Sequence, residues 1–319
     1  MRTSPKRAAA DAVDGVLALD KPLGVSSNTA LQHARRLLQA RKAGHTGTLD
    51  PLASGLLPLT FGEATKFSAD LLDADKEYEA RIALGTVTST GDAEGEVLQT
   101  RPVAVTREQF EGVLAGFRGD QHQVPPMHSA LKRDGRPLYE LAREGIEVER
   151  APRRVRILRL ELLQWDARAP LVVVECSKGT YVRVLVQDIG AALGCGAHLQ
   201  ALRRTRVGAL GLERAVSLDA LQALPLQERR AMLLAPDALL AGVPAVRLDA
   251  AAERRFGHGQ PVPVDAAPGR LRVYGADGRL LGLGRCSGQS LEPMRLIAQP
   301  AAPAGAARNE SEMAIKEAT

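Results

Sequence analysis

The spacing of apolar residues changes from segment to segment along this chain, and no single rhythm is sustained. Tyr78, Ala80, Ile82 and Leu84 alternate with polar neighbours, the pattern of a half-buried strand. Ala30, Leu31, Ala34, Leu37 and Leu38 instead recur at helical spacing, with Ser26, Ser27 or Asn28 placed to cap the helix. Arg35 and Arg36 occupy its outer face, and Arg41 and Lys42 lie near its C-terminus, where cations suit the helix dipole. A short apolar strand, Val16 to Lys21, precedes it and ends in a Pro-Leu-Gly turn. Thr106-Arg107-Glu108-Gln109 is a capping box that opens a helix to about Phe117. An arginine-laced strand (Val155 to Leu163), an apolar run (Leu171 to Cys176) and a helix from about Val184 to Leu193 follow. Strands and helices mix without a regular strand–helix–strand period, so the spacing predicts an α+β fold over a doubly wound one.

At 319 residues the chain has room for one large or two ordinary domains. From about Ala241 short strands, Gly and Pro dominate, and Gly275-Ala276-Asp277-Gly278 separates two apolar runs as a hairpin turn does. A small β-rich domain is therefore expected at 243–300, after a main domain at 15–242. Residues 1–14 read as a flexible leader and 301–319 as a disordered tail with little to bury. The net charge of +5 favours polyanionic partners through phosphate neutralisation. No apolar run reaches the roughly 20 residues of a membrane helix. The N-terminus lacks the apolar centre of a secretory signal. Cys176, Cys195 and Cys286 are far apart and form no CxxC pair, which argues for a reducing compartment and against zinc. A cytoplasmic protein is expected.

Residues 44–55 carry the most chemistry. The stretch Gly44-His45-Thr46-Gly47-Thr48-Leu49-Asp50-Pro51-Leu52-Ala53-Ser54-Gly55 is crowded with small residues, yet holds one imidazole and one carboxylate. Proline disfavours helical geometry at the residue before it, so Asp50 should be extended on a loop with its side chain projecting. A loop carboxylate held in this way is a candidate nucleophile or base. Competing chemistries find no footing: no GxxxxGK[ST] loop is present, and Gly282-Leu283-Gly284 with Gly288 is misspaced for a dinucleotide fingerprint. The histidines show no metal-binding spacing, and Asp73-Ala74-Asp75 reads as a polar turn.

The segment Gly44 to Pro51 closely resembles the signature of the bacterial tRNA pseudouridine synthases of the TruB family, in which this sequence surrounds the catalytic aspartate. Further segments extend the resemblance over most of residues 15–245. Asp20-Lys21-Pro22-Leu23-Gly24 is similar to the family's N-terminal motif and would pack under the catalytic loop, with Lys21 supporting it. Asp75-Lys76-Glu77-Tyr78 resembles the motif whose tyrosine lies against the target base. Ser177 to Arg183 matches the Gly-Thr-Tyr-x-Arg motif: Tyr181 would line the uridine pocket and Arg183 would pair with Asp50. A carboxylate in a partly dry pocket tends to protonate, and a guanidinium beside it keeps it charged. Gly196 to Arg206 resembles a segment in which Leu202 would line the pocket while Arg203, Arg204 and Arg206 could meet phosphates. Gln123 to Tyr139 resembles an RNA-gripping insertion, expected at about 119–150, although tyrosine often stands in the family where this chain has His128. Arg150, Arg153, Arg154 and Arg156 continue the basic stripe.

The resemblance implies a catalytic domain on a mixed, largely antiparallel sheet with flanking helices, followed by a small β-barrel (PUA-like) domain. The latter rests mainly on Gly257 to Val262 and the hairpin. It implies an isomerase that turns the T-loop uridine of tRNA into pseudouridine without a cofactor or metal, acting as a monomer on the T-arm stem–loop. Asp50 would be the nucleophile, though the residues leave open attack on ribose, attack on the base, or removal of a ribose proton. The target base must be flipped out, at a cost of a few kcal/mol. His45 is placed to fill the vacated space. Tyr78 would stack on the uracil and could take the C5 proton.

Overall fold

A computed structural model describes residues 13–129 and 131–298; the expected tail at 301–319 and all but the end of the leader lie outside these described residues. The chain divides into two compact units between Leu240 and Ala241.

The first unit opens with β1 (Gly15–Lys21), α1 (Ser27–Leu37), β2 (Ala43–His45) and β3 (Ala53–Phe61). After α2 (Ser68–Asp73) come β4 (Lys76–Leu84), β5 (Thr86–Thr88), β6 (Val97–Thr100), α3 (Arg107–Gly116) and β7 (Gly119–Gln123). A small hairpin of β8 (Lys132–Arg133) and β9 (Arg136–Pro137) leads into α4 (Leu138–Arg143). The unit continues through β10 (Arg153–Gln164), β11 (Leu171–Cys176), α5 (Val182–Ala192) and β12 (Ala197–Val207). It ends with β13 (Leu210–Gly211), β14 (Val216–Ser217), α6 (Leu218–Ala223) and α7 (Leu226–Ala231).

Ten of these strands form one sheet in the order β14-β1-β3-β12-β4-β11-β10-β7, with β2 on β3 and β13 on β12. Its pairs are antiparallel except β1 with β14 and β3 with β12, so the sheet is mixed and largely antiparallel. The local signals explain the helices. Ser26 caps α1 by accepting from the Thr29 N–H at 3.1 Å, and Ala30, Leu31 and Ala34 bury the apolar face. In α3 the Thr106 hydroxyl and the Gln109 amide satisfy each other's backbone N–H groups, the two halves of the capping box.

Two apolar cores lie along the sheet. One gathers α3 and α5 around Ile82, Leu160, Val174 and Leu199. The other gathers α1 and α6 around Leu19, Leu57 and Phe61. Tyr78 and Leu202 pack against both, which puts them on the seam where β3, β12 and β4 run side by side.

Three segments differ from the sequence expectation. The polar stretch Gly85–Gly95 contains β5, which pairs with β6 as a separate two-stranded ribbon. Residues 119–123, taken as the start of the insertion, are the edge strand β7, in register with β10 from Arg153↔Gln123 to Ile157↔Gly119. The polar stretch that follows leaves the sheet only after Gln123. The basic segment from Ala197 is the interior strand β12, which limits what its arginines can reach.

The second unit consists of β15 (Ala245–Arg247), α8 (Ala250–Gly257), β16 (Val262–Pro263), β17 (Gly269–Tyr274), β18 (Leu280–Ser287) and β19 (Ser290–Leu296). Its five strands curl into half a barrel in the order β15-β17-β18-β19-β16, closed around Phe256, Val262, Val273 and Leu291. The expected turn at Gly275–Gly278 joins β17 to β18, with the Gly275 N–H donating to the Arg279 carbonyl at 2.9 Å. No helix among the described residues is long and apolar enough to cross a membrane.

Candidate active site

Asp50 lies in the irregular segment between β2 and β3, and neighbouring elements hold that segment's backbone. The Thr46 N–H donates to the Pro58 carbonyl at 3.1 Å. Arg204, from β12, donates to the Gly47 carbonyl at 3.2 Å and to the Leu56 carbonyl at 2.7 Å. Ser27, in the first turn of α1, uses one hydroxyl twice: it donates to the Leu49 carbonyl at 2.9 Å and accepts from the Leu49 N–H at 2.8 Å. On the other side of Asp50 the Gly24 N–H donates to the Pro51 carbonyl at 2.8 Å. Gly55 is needed where β3 begins, because at its φ of +100° a Cβ would run into the backbone of Arg204.

The Asp50 side chain is 45% exposed, and its Oδ2 stands 3.0 Å from the Arg183 guanidinium. Arg183 enters from the first turn of α5 and is itself buried. Its nitrogens also reach Asp92 Oδ2 at 3.5 Å, the His128 carbonyl at 2.7 Å and the Thr90 carbonyl at 3.3 Å. Asp92 is buried and accepts from the Thr90 hydroxyl and the Glu94 N–H. Its loop is strapped to β12 by Leu199, whose N–H donates to Gly91 and whose carbonyl accepts from Ala93, both at 3.0 Å. One guanidinium thus sits between two carboxylates, one facing solvent and one sealed.

Above this pair opens a cleft of about 820 Å³, lined by His45, Asp50, Tyr78, Tyr181, Leu202 and Tyr139 among others. Tyr181 is steadied by the buried Gln123, whose amide accepts from the Tyr181 N–H at 3.0 Å and donates to its carbonyl at 3.4 Å. Burial raises the Tyr78 phenol above its usual range; the nearby Arg204 works against that and Asp50 adds to it. Burial, with Arg204 beside it, lowers the His45 imidazole, and its Nδ1 has no hydrogen-bond partner among the described residues. His45 is therefore a neutral ring in the wall. Burial first, then Asp92 and Asp50, raise the Glu94 carboxyl at the rim.

The floor is cationic. Lys21 is fully buried and donates to the Pro22 and Val25 carbonyls at 2.9 and 2.6 Å, which ties the β1–α1 turn together beneath the loop. Lys76 is buried and caps the end of α2 through the Leu71 and Leu72 carbonyls at 3.1 and 2.7 Å. Desolvation brings both ammonium groups down to about 8.

Several residues expected at phosphates have partners within the protein. Arg204 is 1% exposed and spends its donors on Gly47 and Leu56, because its strand is interior to the sheet. It also lines the cleft. Arg203 is paired with Asp20 at 2.8 Å, and Arg206 with Glu175 at 2.8 Å. Lys21, placed in the sequence both as a support beneath the catalytic loop and among the substrate-binding residues, has no exposed surface and donates to the protein's own backbone. His128 reaches Arg183 through its carbonyl, a contact that any side chain at that position leaves in place.

Ser27, Asp92, Gln123 and Lys76 complete the arrangement, and none stands out from sequence as a site residue: Ser27 reads as a possible cap, and Gln123 and Lys76 lie within longer motifs. Among the described residues no cluster of His, Cys, Asp and Glu could hold a metal ion.

Residues 35–182 match the TruB family pseudouridylate synthase N-terminal domain, residues 183–241 a tRNA pseudouridylate synthase B C-terminal domain, and residues 244–297 the C-terminal domain of pseudouridine synthase II TruB. A tRNA pseudouridine synthase B from Burkholderia mallei is 59% identical over 303 residues, covering 92% of this chain and 97% of the relative. The protein of that name from Ralstonia nicotianae is 59% identical over 297 residues, covering 89% and 94%. Among solved structures, a Cbf5-Nop10-Gar1 complex contains a chain that matches with a TM-score of 0.67 and 27% identity, covering 90% of this chain and 84% of the other. A chain in an H/ACA RNP bound to substrate RNA has the same fold, with a TM-score of 0.69 at 24% identity, covering 93% and 92%.

Proposed function

The chain belongs to the TruB family of pseudouridine synthases, and on that premise we propose that it isomerises the T-loop uridine of tRNA, position 55, to pseudouridine without a cofactor. The C1′–N1 bond breaks, the uracil turns, and C5 bonds to C1′. C5 loses a proton and N1 gains one, so substrate and product are isomers. The observation that carries this reading is the half-exposed Asp50 carboxylate, 3.0 Å from a buried guanidinium, in a cleft walled by two tyrosines and Leu202.

Asp50 is the nucleophile, and Arg183, paired with it at 3.0 Å, aims it. Tyr78 stacks on the flipped uracil. Burial raises its phenol, which favours the protonated form and agrees with stacking. Tyr181 and Leu202 shape the pocket, and His45, its imidazole lowered by burial and its Nδ1 without a partner among the described residues, fills the space that the base leaves. The substrate is RNA; its T-arm is the recognised part, and the protein works as a cytoplasmic monomer. The second unit grips RNA backbone in the manner of a PUA-like module.

The test uses a T-arm stem–loop with tritium at C5 of its uridines. The intact protein should release tritium from one uridine, and Asp50→Asn should release none. Tight RNA binding without release from the intact protein would point to a different target loop or to an RNA-folding role.

A further inference from the structure

Two adjacent serines open α1, and they do different work. Ser26 caps the helix through the Thr29 N–H, which leaves the hydroxyl of Ser27 free for another task. That hydroxyl reaches across 22 positions of sequence and takes both the N–H and the carbonyl of Leu49. Both residues are buried, Ser27 at 2% and Leu49 at 3% exposure. Leu49 lies outside helix and strand, so its backbone groups have no ladder to join, and buried groups of this kind are costly when unmade. Ser27 itself is set on a helix whose inner face, Ala30, Leu31 and Ala34, is packed into a core.

We propose that Ser27 is a positioning residue for Asp50: its hydroxyl fixes the Leu49 backbone and so sets the turnover rate without touching RNA. The proposal rests on the reading of Asp50 as the catalytic carboxylate. Asp50 has two sources of freedom, its side chain and the backbone that carries it. Arg183 restrains the first from the α5 side. Ser27 at residue 49 and the Gly24 N–H at residue 51 restrain the second from the α1 side. A loop carboxylate held only by the guanidinium would still swing about its own backbone. A misplacement of about 1 Å is enough to cost about 100-fold in rate.

Three proteins decide it: the wild type, Ser27→Ala and Ser27→Thr. Two readouts are needed, tritium release at saturating and limiting RNA, and amide hydrogen exchange of the RNA-free protein. Ser27→Ala should lower kcat by about 10- to 100-fold with KM within twofold. Its Leu49 amide should exchange at least tenfold faster while Ala34 in α1 keeps its protection. Ser27→Thr, which retains the hydroxyl, should recover most of both. A kcat within twofold of wild type, a change confined to KM, or equal loss of protection at Ala34 would each overturn the proposal. A wild type that releases no tritium overturns the functional reading instead, and the exchange comparison then still decides whether Ser27 holds the Leu49 backbone.

Discussion

At the scale of single residues, the arrangement turns on how many partners one guanidinium can serve. Arg183 meets Asp50, Asp92 and two backbone carbonyls at the same time. A lysine has one compact charge and no fork, so it cannot span two carboxylates 3.0 and 3.5 Å from different nitrogens. Arg183→Lys should therefore lower kcat by roughly 100-fold or more, on the scale of losing a preorganised electrostatic contact. Asp92→Asn should lower it less, by about tenfold, with the folded content unchanged by circular dichroism. Equal rates in Arg183→Lys and wild type would remove the pair from the mechanism. The motif around Asp50 and the Gly-Thr-Tyr-x-Arg segment made both members of that pair visible in the sequence. Asp92, Gln123 and Ser27 do not stand out as site residues, because each acts by meeting a backbone or a charge that only the folded chain brings close. A polar residue in a polar connection carries no mark of such a meeting.

At the scale of elements, Lys76 links the end of α2 to the start of β4, two residues before Tyr78. Its ammonium sits at about 8 against an ordinary 10.5, with burial the main cause and Arg204 the next. Between those two values the unfolded chain binds more protons than the folded one, so this group makes stability rise with pH. Cys176, pushed up to about 12 by burial, works in the opposite direction above 9. The comparison that isolates Lys76 is therefore wild type against Lys76→Met in urea unfolding at pH 8 and pH 10. The stability difference should move in favour of wild type as pH rises, and a constant difference would refute the assignment. A contrasting case is Thr106→Ala, which removes the capping box of α3 far from the cleft. It should cost about 1 kcal/mol of stability in the same assay and leave tritium release unchanged. Elements of this kind were the legible part of the fold: α1, α3, β1 and β4 follow from caps and periodicity alone. β7 and β5 were missed because short polar strands at an edge bury too little to show a period. β12 is basic yet interior because its arginines meet Asp20, Glu175 and the Leu56 carbonyl of other strands, which composition does not reveal.

At the scale of the whole molecule, the division between Leu240 and Ala241 separates the cleft from the curled five-stranded sheet. All cleft-lining residues belong to the first unit. Ending the chain after Leu240 should raise KM for the T-arm RNA several-fold and leave kcat within twofold, as read by tritium release. A collapse of kcat would show that the second unit takes part in the chemistry. The parallel pairing of β3 with β12 has a different kind of consequence. It places Leu202 beside Ala53 and Arg204 beside Gly55, and Arg204 reaches back 148 positions to the Leu56 carbonyl. Contacts this distant in sequence form late, since the intervening chain must first be gathered. During synthesis the aspartate, its loop and the serine behind it leave the ribosome early, while the strand that braces them follows only when nearly two-thirds of this sequence has been made. A nascent chain halted before Arg204 carries the aspartate and the motif around it but lacks the side chain that holds the Gly47 and Leu56 carbonyls.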